Sequence, residues 1–240
     1  MTNNQAFRDE ICEIGRRIYA RGFAAGNDGN ISCRLSDDRV LCTPTLICKG
    51  FMQPDDLCIV DLEGNQLAGE KKRTSEILLH LEVYRANPDV RAVVHCHPPH
   101  ATAFSVARVD IPSGILPEVE IFLGVIPRAE YETPGTTDFA ATICPFTGKA
   151  NTVILSNHGT VSWGPSVERA FWNAEILDAY CRILLLARQL GNVERLPAGK
   201  VEELLDLRTR FGMGEDPRRT EGLGLFLNPD FGTPDQAAVR

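Results

Sequence analysis

The chain has 240 residues, 43% of them hydrophobic and 24% charged, which predicts one soluble globular domain. Its net charge of −7, without a long run of lysines or arginines, argues against nucleic acid or an acidic membrane as the main partner. No apolar stretch reaches the ~18 residues of a membrane span, and the N-terminus lacks the features of a signal peptide, so we expect a cytoplasmic protein.

The first predicted element is an amphipathic N-terminal helix. Its apolar stripe consists of Phe7, Ile11, Ile14 and Ile18. A loop rich in glycine and asparagine follows and leads into a strand, and its backbone N–H groups and the Asn30 amide could bind an anion. A second strand ends in Thr-Pro-Thr, where the hydroxyl of Thr45 could serve the same anion.

The segment Thr74-Ser75-Glu76 immediately precedes a second predicted helix. One hydroxyl would cap this helix, and the other would lie near its positive N-terminal end. Such a helix start suits a phosphate group, although a plain helix cap is the simpler interpretation of the segment by itself. His80 lies four residues after Glu76 on the same helix face, where it either supports a site or packs in the core.

The stretch AVVHCHPPH, residues 92–100, is the strongest candidate for a metal site. His95 and His97 are two residues apart in a predicted strand, so their side chains point to the same side. Glu76 and His158, which follows a later strand, could complete the site. Three histidines and a carboxylate are plausible ligands for zinc or a similar ion, whereas two ordinary loop histidines remain the alternative for the pair alone.

The second half of the chain begins with a proline-rich segment, residues 109–135, that contains Glu118 and Glu120. If this segment is a strand, both carboxylates face the same side. We predict further helices starting near residue 136, over 166–190 and over 200–212, and a buried strand over 151–156. Residues 1–213 would form the catalytic domain. Residues 214–240 would form a C-terminal tail, loosely ordered or packed on a neighbouring subunit.

Five motifs, GNDGNIS, TPT, TSE, VVHCHPPHATA and LSNHGTVSWG, occur in this order. Together they resemble the class II aldolase/adducin family over roughly residues 7–190. The resemblance implies an α/β fold with three α/β/α layers around a central, mainly antiparallel sheet. It also implies a homotetramer with its sites near the subunit boundaries.

The resemblance also assigns site residues position by position. The implied ligands of Zn²⁺, or alternatively of Mn²⁺, Co²⁺ or Fe²⁺, are Glu76, His95, His97 and His158. The implied phosphate contacts are Asn30, Thr45, Thr74 and Ser75. In the aldolases of the family, the carboxylate at the position of Glu76 is both a metal ligand and the acid/base.

Three positions depart from the aldolases of this family. Leu46 replaces a glycine whose amide helps to hold phosphate. Glu118 and Glu120 lie near the position of a catalytic tyrosine, and Phe211 stands at that of a second tyrosine, donated by a neighbouring subunit. We therefore expect a different proton donor to the aldehyde oxygen, with Glu118 or Glu120 as the candidates.

The resemblance implies a metal-dependent aldolase, a carbon–carbon lyase. It would cleave a ketose 1-phosphate to dihydroxyacetone phosphate and an aldehyde through a metal-stabilised enediolate. The alternatives are a sugar-phosphate 4-epimerase, a decarboxylase of a 3-keto acid phosphate, a dehydratase, and an aldolase for unphosphorylated keto acids. An adducin-like scaffold without catalysis is a different class, and the presence of all three histidines and Glu76 argues against it.

Overall fold

The computed structural model describes residues 4–221 and is built around a mixed eight-stranded sheet. The strands are β1 Asn30–Ser36, β2 Arg39–Cys42, β3 Cys58–Val60, β4 Gln66–Ala68, β5 Ala92–Cys96, β6 Arg128–Ala129, β7 Thr152–Leu155 and β8 Gly159–Gly164. Their spatial order is β4-β3-β2-β1-β5-β8-β7-β6. Within the described residues only β6 and β7 pair parallel, so the predicted α/β class with a mainly antiparallel sheet is confirmed.

Helices account for most of the remaining chain. They are α1 Gln5–Ala20, α2 Ile77–Ala86, α3 Pro99–Ala107, α4 Pro117–Phe122, α5 Thr137–Ala141, α6 Val167–Leu190, α7 Ala198–Arg210 and α8 Arg218–Glu221. Short 3-10 helices lie at Pro54–Asp56 and Cys144–Phe146. Between residues 4 and 221, none of the helices combines the length and the apolar character that a membrane crossing requires.

The central strands contribute to two hydrophobic cores because successive side chains alternate between the faces of the sheet. On one face, Ile31 and Val94 pack with residues of α1 and α6. On the other face, Val93 and Val161 pack with residues of α2 and α5. The second face matters for function, since the register pairs Asn30 of β1 with His95 of β5 next to α2.

The proline-rich segment around Glu118 and Glu120 differs from the predicted strand. Pro117 opens the short helix α4, in which the N–H of Glu120 donates to the carbonyl oxygen of Leu116 at 3.2 Å. A proline suits the first helical turn because its missing N–H has no partner there in any case. The alternation of the two glutamates was therefore a misleading sign of a strand.

The first part of the predicted tail packs on its own chain. Arg218 of α8 is buried, and its guanidinium lies 2.7 Å from Asp216 and 2.6 Å from Glu120 of α4. These contacts attach residues 216–218 to the domain. Residues 222–240, the rest of the predicted tail, lie outside the described residues, and the division of the chain at residue 213 stays a prediction.

Candidate active site

The three predicted histidine ligands converge where β5 ends and β8 begins. His95 is fully buried in β5, His97 follows directly after that strand, and His158 lies in the turn between β7 and β8. Each offers a nitrogen to a group whose ligand atoms all lie within 4.8 Å of one another. The strand alternation thus brings His95 and His97 to one side, as the sequence predicts.

Hydrogen bonds determine which ring nitrogen carries the proton in His95 and His97. Nδ1 of His95 lies 2.9 Å from the carbonyl oxygen of Thr160, which can only accept, so this nitrogen is the donor. Nδ1 of His97 lies 3.3 Å from Oδ2 of Asp28 and donates in the same way. The two Nε2 atoms consequently face each other at 3.2 Å, each with a lone pair. Such a pair of converging lone pairs is the arrangement that a cation needs.

Burial keeps the three imidazoles neutral. It lowers the pKa of His95 well below the ordinary value, and the neighbouring His97 and His158 lower it further. Burial also lowers the pKa of His97. Burial and the neighbouring His97 together lower the pKa of His158 to about 4. Neutral imidazole is the form that binds metal ions.

Glu76, at the start of α2, completes the group of potential ligands. Its Oε2 lies 3.4 Å from Nε2 of His95, and its Oε1 lies 3.5 Å from Nε2 of His158. Burial raises the pKa of Glu76, opposed by a 2.7 Å hydrogen bond from Nδ2 of Asn30. Three neutral imidazoles and one carboxylate form a donor set that fits a divalent ion of the zinc type.

A cavity of about 160 Å³ opens beside the histidines. The four predicted phosphate contacts line it: Asn30, Thr45, Thr74 and Ser75. Thr74 is buried, and its hydroxyl accepts the N–H of Glu76 at 3.3 Å, whereas Ser75 is exposed. The cavity is smaller than the ~300 Å³ at which pockets for drug-sized ligands begin, so its size suits a small substrate.

Leu46, at the position where the sequence resemblance implies a glycine, also lines this cavity. Its backbone adopts φ 58°, a left-handed conformation that strains a residue with a Cβ by about 1 to 2 kcal/mol. The backbone therefore follows a path that would favour glycine, although the residue is leucine. The leucine side chain is 76% exposed at the cavity wall.

Residues 9–185 match the family model described as the Class II Aldolase and Adducin N-terminal domain. The chain belongs to the class II aldolase and adducin family. The 3-oxo-tetronate 4-phosphate decarboxylase of Cupriavidus necator is 35% identical over 213 residues, which cover 86% of this chain and 97% of the relative. The L-fuculose phosphate aldolase of Methanococcus vannielii is 36% identical over 174 residues, 72% of this chain and 93% of the relative.

A solved structure shows the same class II aldolase fold. YgbL from Klebsiella pneumoniae, assigned provisionally as an aldolase, epimerase or decarboxylase, superposes with a TM-score of 0.78 at 33% identity. The superposition covers 85% of this chain and all of the YgbL chain. The family predicted from the motifs is thus confirmed.

Two cavity residues of this class II aldolase family member were not predicted as site residues. One is Asp28, whose carboxylate accepts the hydrogen bond from Nδ1 of His97. Lys49 is only 2% exposed, and its Nζ donates to the carbonyl oxygens of Asn27 at 2.8 Å and Ile47 at 2.5 Å. Burial lowers the pKa of Lys49 to about 8. The sole sequence signal for Lys49 was a lysine between apolar residues, which surface loops also contain.

The two glutamates proposed as proton donors do not line this cavity within the described residues. The carboxylate of Glu120 is fully buried, 2.6 Å from Nη1 of Arg218, and it accepts the N–H of Gly114 at 2.6 Å. This argues against Glu120 as the proton donor, because its Oε2 is bound to Arg218 of α8 and its Oε1 to the backbone of Gly114. Glu118 is exposed on α4, and Phe211 is 57% exposed just after α7.

Proposed function

We propose that the chain is a metal-dependent decarboxylase of a short 3-oxo acid phosphate of the 3-oxo-tetronate 4-phosphate type. The observation that supports this assignment is the composition of the cavity wall. It contains the histidine group, Glu76 and the anion contacts, but between residues 4 and 221 it contains no tyrosine. The Cupriavidus necator relative, which matches nearly the whole chain, supports the same reaction.

The chemistry of the two candidate substrates explains why a missing tyrosine matters. Both a 3-oxo-tetronate 4-phosphate and a ketose 1-phosphate contain a phosphorylated CH₂, a carbonyl and a CHOH in succession. Breaking the bond beyond the CHOH, then returning one proton to that carbon, yields dihydroxyacetone phosphate from either. Carbon dioxide leaves from a carboxylate without further proton transfer, whereas an aldehyde forms only when its precursor hydroxyl loses a proton. Decarboxylation therefore needs one fewer acid/base group.

The residues of the site divide these tasks. A divalent ion held by Glu76, His95, His97 and His158 would supply a Lewis acid for the substrate carbonyl. The phosphate would be bound by the Lys49 ammonium, the second Nδ2 hydrogen of Asn30, and the residues Thr45, Thr74 and Ser75. Binding the phosphate in this way orients the bond to be broken. Glu76 would take up a proton from water and deliver it to the carbon, and burial, which raises the pKa of this carboxyl, helps it to hold that proton.

An aldolase that cleaves a ketose 1-phosphate is the second candidate. The Methanococcus vannielii relative favours it, and so does the left-handed backbone of Leu46, which follows the path suited to the phosphate-binding glycine of the aldolases. In that reaction Glu118, which is exposed, would have to approach the cavity from a second copy of the chain to accept the proton of the cleaved hydroxyl, and to donate it to the aldehyde oxygen in the reverse direction.

Release of dihydroxyacetone phosphate, followed by NADH oxidation with glycerol-3-phosphate dehydrogenase, tests both candidates. Zinc-loaded protein would receive freshly prepared 3-oxo-tetronate 4-phosphate or L-fuculose 1-phosphate. Because 3-oxo acids also lose carbon dioxide spontaneously, each rate is compared with a protein-free blank and with the Glu76→Gln variant. We expect acceleration only with the oxo acid, abolished in the variant. Release only from the ketose phosphate would replace the decarboxylase with the aldolase.

We propose a cytoplasmic homotetramer with three α/β/α layers as the form in which this enzyme acts. Two hydrophobic cores on opposite faces of the sheet support the layers. Exposed apolar side chains along α6 support a subunit contact there; they are Trp172, Ile183, Leu185 and Leu186. Light scattering coupled to size exclusion would test the assembly, and a monomeric mass would contradict it.

A further inference from the structure

A row of buried polar side chains runs from Glu76 into the protein, away from the cavity. Nδ2 of Asn30 lies 2.7 Å from Oε2 of Glu76, and Oδ1 of Asn30 lies 2.6 Å from Nε2 of His80. On the other side of the ring, Nδ1 of His80 lies 2.7 Å from the hydroxyl of Ser32, which lies 2.8 Å from the hydroxyl of Tyr84. All five residues are buried.

The hydrogen bonds in this row can run in only one direction when Glu76 is ionised. A carboxylate only accepts, so the amide nitrogen of Asn30 faces it and the amide oxygen faces His80. Nε2 of His80 must then donate. Burial lowers the pKa of His80 to about 3, so the ring is neutral and its Nδ1 accepts from Ser32. Ser32 has no second hydrogen, so Tyr84 donates to it.

The row has one consequence at the site. A flipped Asn30 amide would place its oxygen against the carboxylate of Glu76, two acceptors in contact, and its NH₂ against the donor nitrogen of His80. Both contacts would be lost in a buried place, where an unpaired polar group costs about 1 to 3 kcal/mol. With the amide held, Oε2 of Glu76 is bound to Asn30, and Oε1 is the oxygen that can carry the transferred proton.

We propose that His80 is a positioning residue that fixes the Asn30 amide and, through it, the carboxylate of Glu76. The Ser32 hydroxyl, which donates to Nδ1 of His80, supports the same tautomer, and Tyr84 orients that hydroxyl. The inference rests on the proposed function, in which Glu76 transfers a proton, but its structural part concerns only the hydrogen bonds of these side chains.

Two matched variants separate this role from simple packing. A glutamine at position 80 reaches as far as Nε2 and can still donate to Asn30, whereas an asparagine reaches only as far as Nδ1. We expect His80→Asn to lower kcat by about 10- to 100-fold with little change in KM, the range observed when groups behind ligands are altered. His80→Gln should retain most of the activity. Equal losses in both variants, at equal melting temperatures, would overturn the proposal.

Nitrogen-15 NMR of the histidine rings gives a readout that does not depend on turnover. In the metal-free protein we expect His80 to be the neutral tautomer with its proton on Nε2. The Tyr84→Phe variant should weaken the hydrogen bond between Ser32 and His80 without changing this tautomer. A His80 ring protonated on Nδ1 would refute the inference even in an active enzyme. If the unmodified protein turns over neither substrate, the proposed function fails, and the tautomer still decides this inference.

Discussion

Nε2 of His95 and Nε2 of His97 lie 3.2 Å apart, and neither nitrogen carries a hydrogen. The carbonyl of Thr160 and the carboxylate of Asp28 hold the protons of the two rings on their far sides. Without a cation the two lone pairs repel each other between a buried and a half-buried ring, and a bound cation would convert that repulsion into two ligand bonds. Metal binding should therefore stabilise the fold.

We expect added Zn²⁺ to raise the melting temperature. The free energy of unfolding should rise by about 2.7 kcal/mol when the free metal concentration is 100 times the dissociation constant. The His97→Ala variant should lose most of this gain. His100→Ala is the matched control, because Nδ1 of His100 pairs with Asp178 at 2.9 Å instead of joining the histidine group. Thermal unfolding with and without a chelator measures the effect, and an equal zinc response in both variants would contradict the site.

The glycine after His158 should tolerate no side chain. A Cβ on Gly159 would lie 2.5 Å from Cδ2 of His97 and 2.6 Å from the backbone oxygen of Cys96. Gly159→Ala should therefore displace the His97 ring, weaken zinc binding and destabilise the fold by about 1 to 3 kcal/mol. Gly148→Ala is the control, since a Cβ there would meet nothing within 4 Å. Isothermal titration with zinc compares the two, and unchanged affinity in Gly159→Ala would speak against the predicted crowding.

Lys49 should strengthen anion binding only while it is protonated. Its pKa of about 8 means that the ammonium form predominates below pH 8 and is lost above it. Replacing it with methionine should weaken binding of inorganic phosphate at pH 7 by about 10- to 100-fold, the value of a charged hydrogen bond.

The difference between wild type and Lys49→Met should shrink as the pH rises from 7 to 9. Calorimetric titration with phosphate across this range measures it, with Lys71→Met, at an exposed lysine, as the control. A difference that stays constant through pH 9 would show that the charge of Lys49 does not contact the anion.

The contact between Glu120 and Arg218 should stabilise the folded state. Replacing Arg218 with methionine leaves a buried carboxylate without its cation, which typically lowers the free energy of unfolding by about 3 to 5 kcal/mol. Arg219→Met should change it by less than about 1 kcal/mol, because Arg219 pairs with Asp206 at the surface. Urea unfolding of both variants provides the test. A Glu120→Gln enzyme that folds normally yet loses turnover would instead restore Glu120 as a proton donor.

The convergence of the candidate metal ligands was predictable because its signals are local. Residues two apart in a strand face the same side, so the spacing of His95 and His97 predicts that they lie together. Glu76 follows Thr74 and Ser75, whose hydroxyls are typical of a helix start. The partners of these residues were not predictable in the same way. Asn30 and His80 are 50 positions apart, and only the pairing of β1 with β5 beside α2 brings them together.

The region around Glu118 shows a different limit. Its alternating glutamates fit a strand, while Pro117 fits the start of a helix, and two turns of chain are too short for periodicity to decide between them. Lys49 illustrates a third case. Its burial results from loop carbonyls that close over the ammonium group, and nothing in the neighbouring residues encodes that closure.

The link between Glu120 and Arg218 also determines how far the folding unit extends. The two residues are 98 positions apart, so their contact closes the chain over α5, α6 and α7. A protein shortened to residue 213, the domain boundary suggested by composition, would keep Glu120 in the interior and discard the cation that neutralises it. The shortest version of this enzyme that folds independently should therefore include residues 214–221.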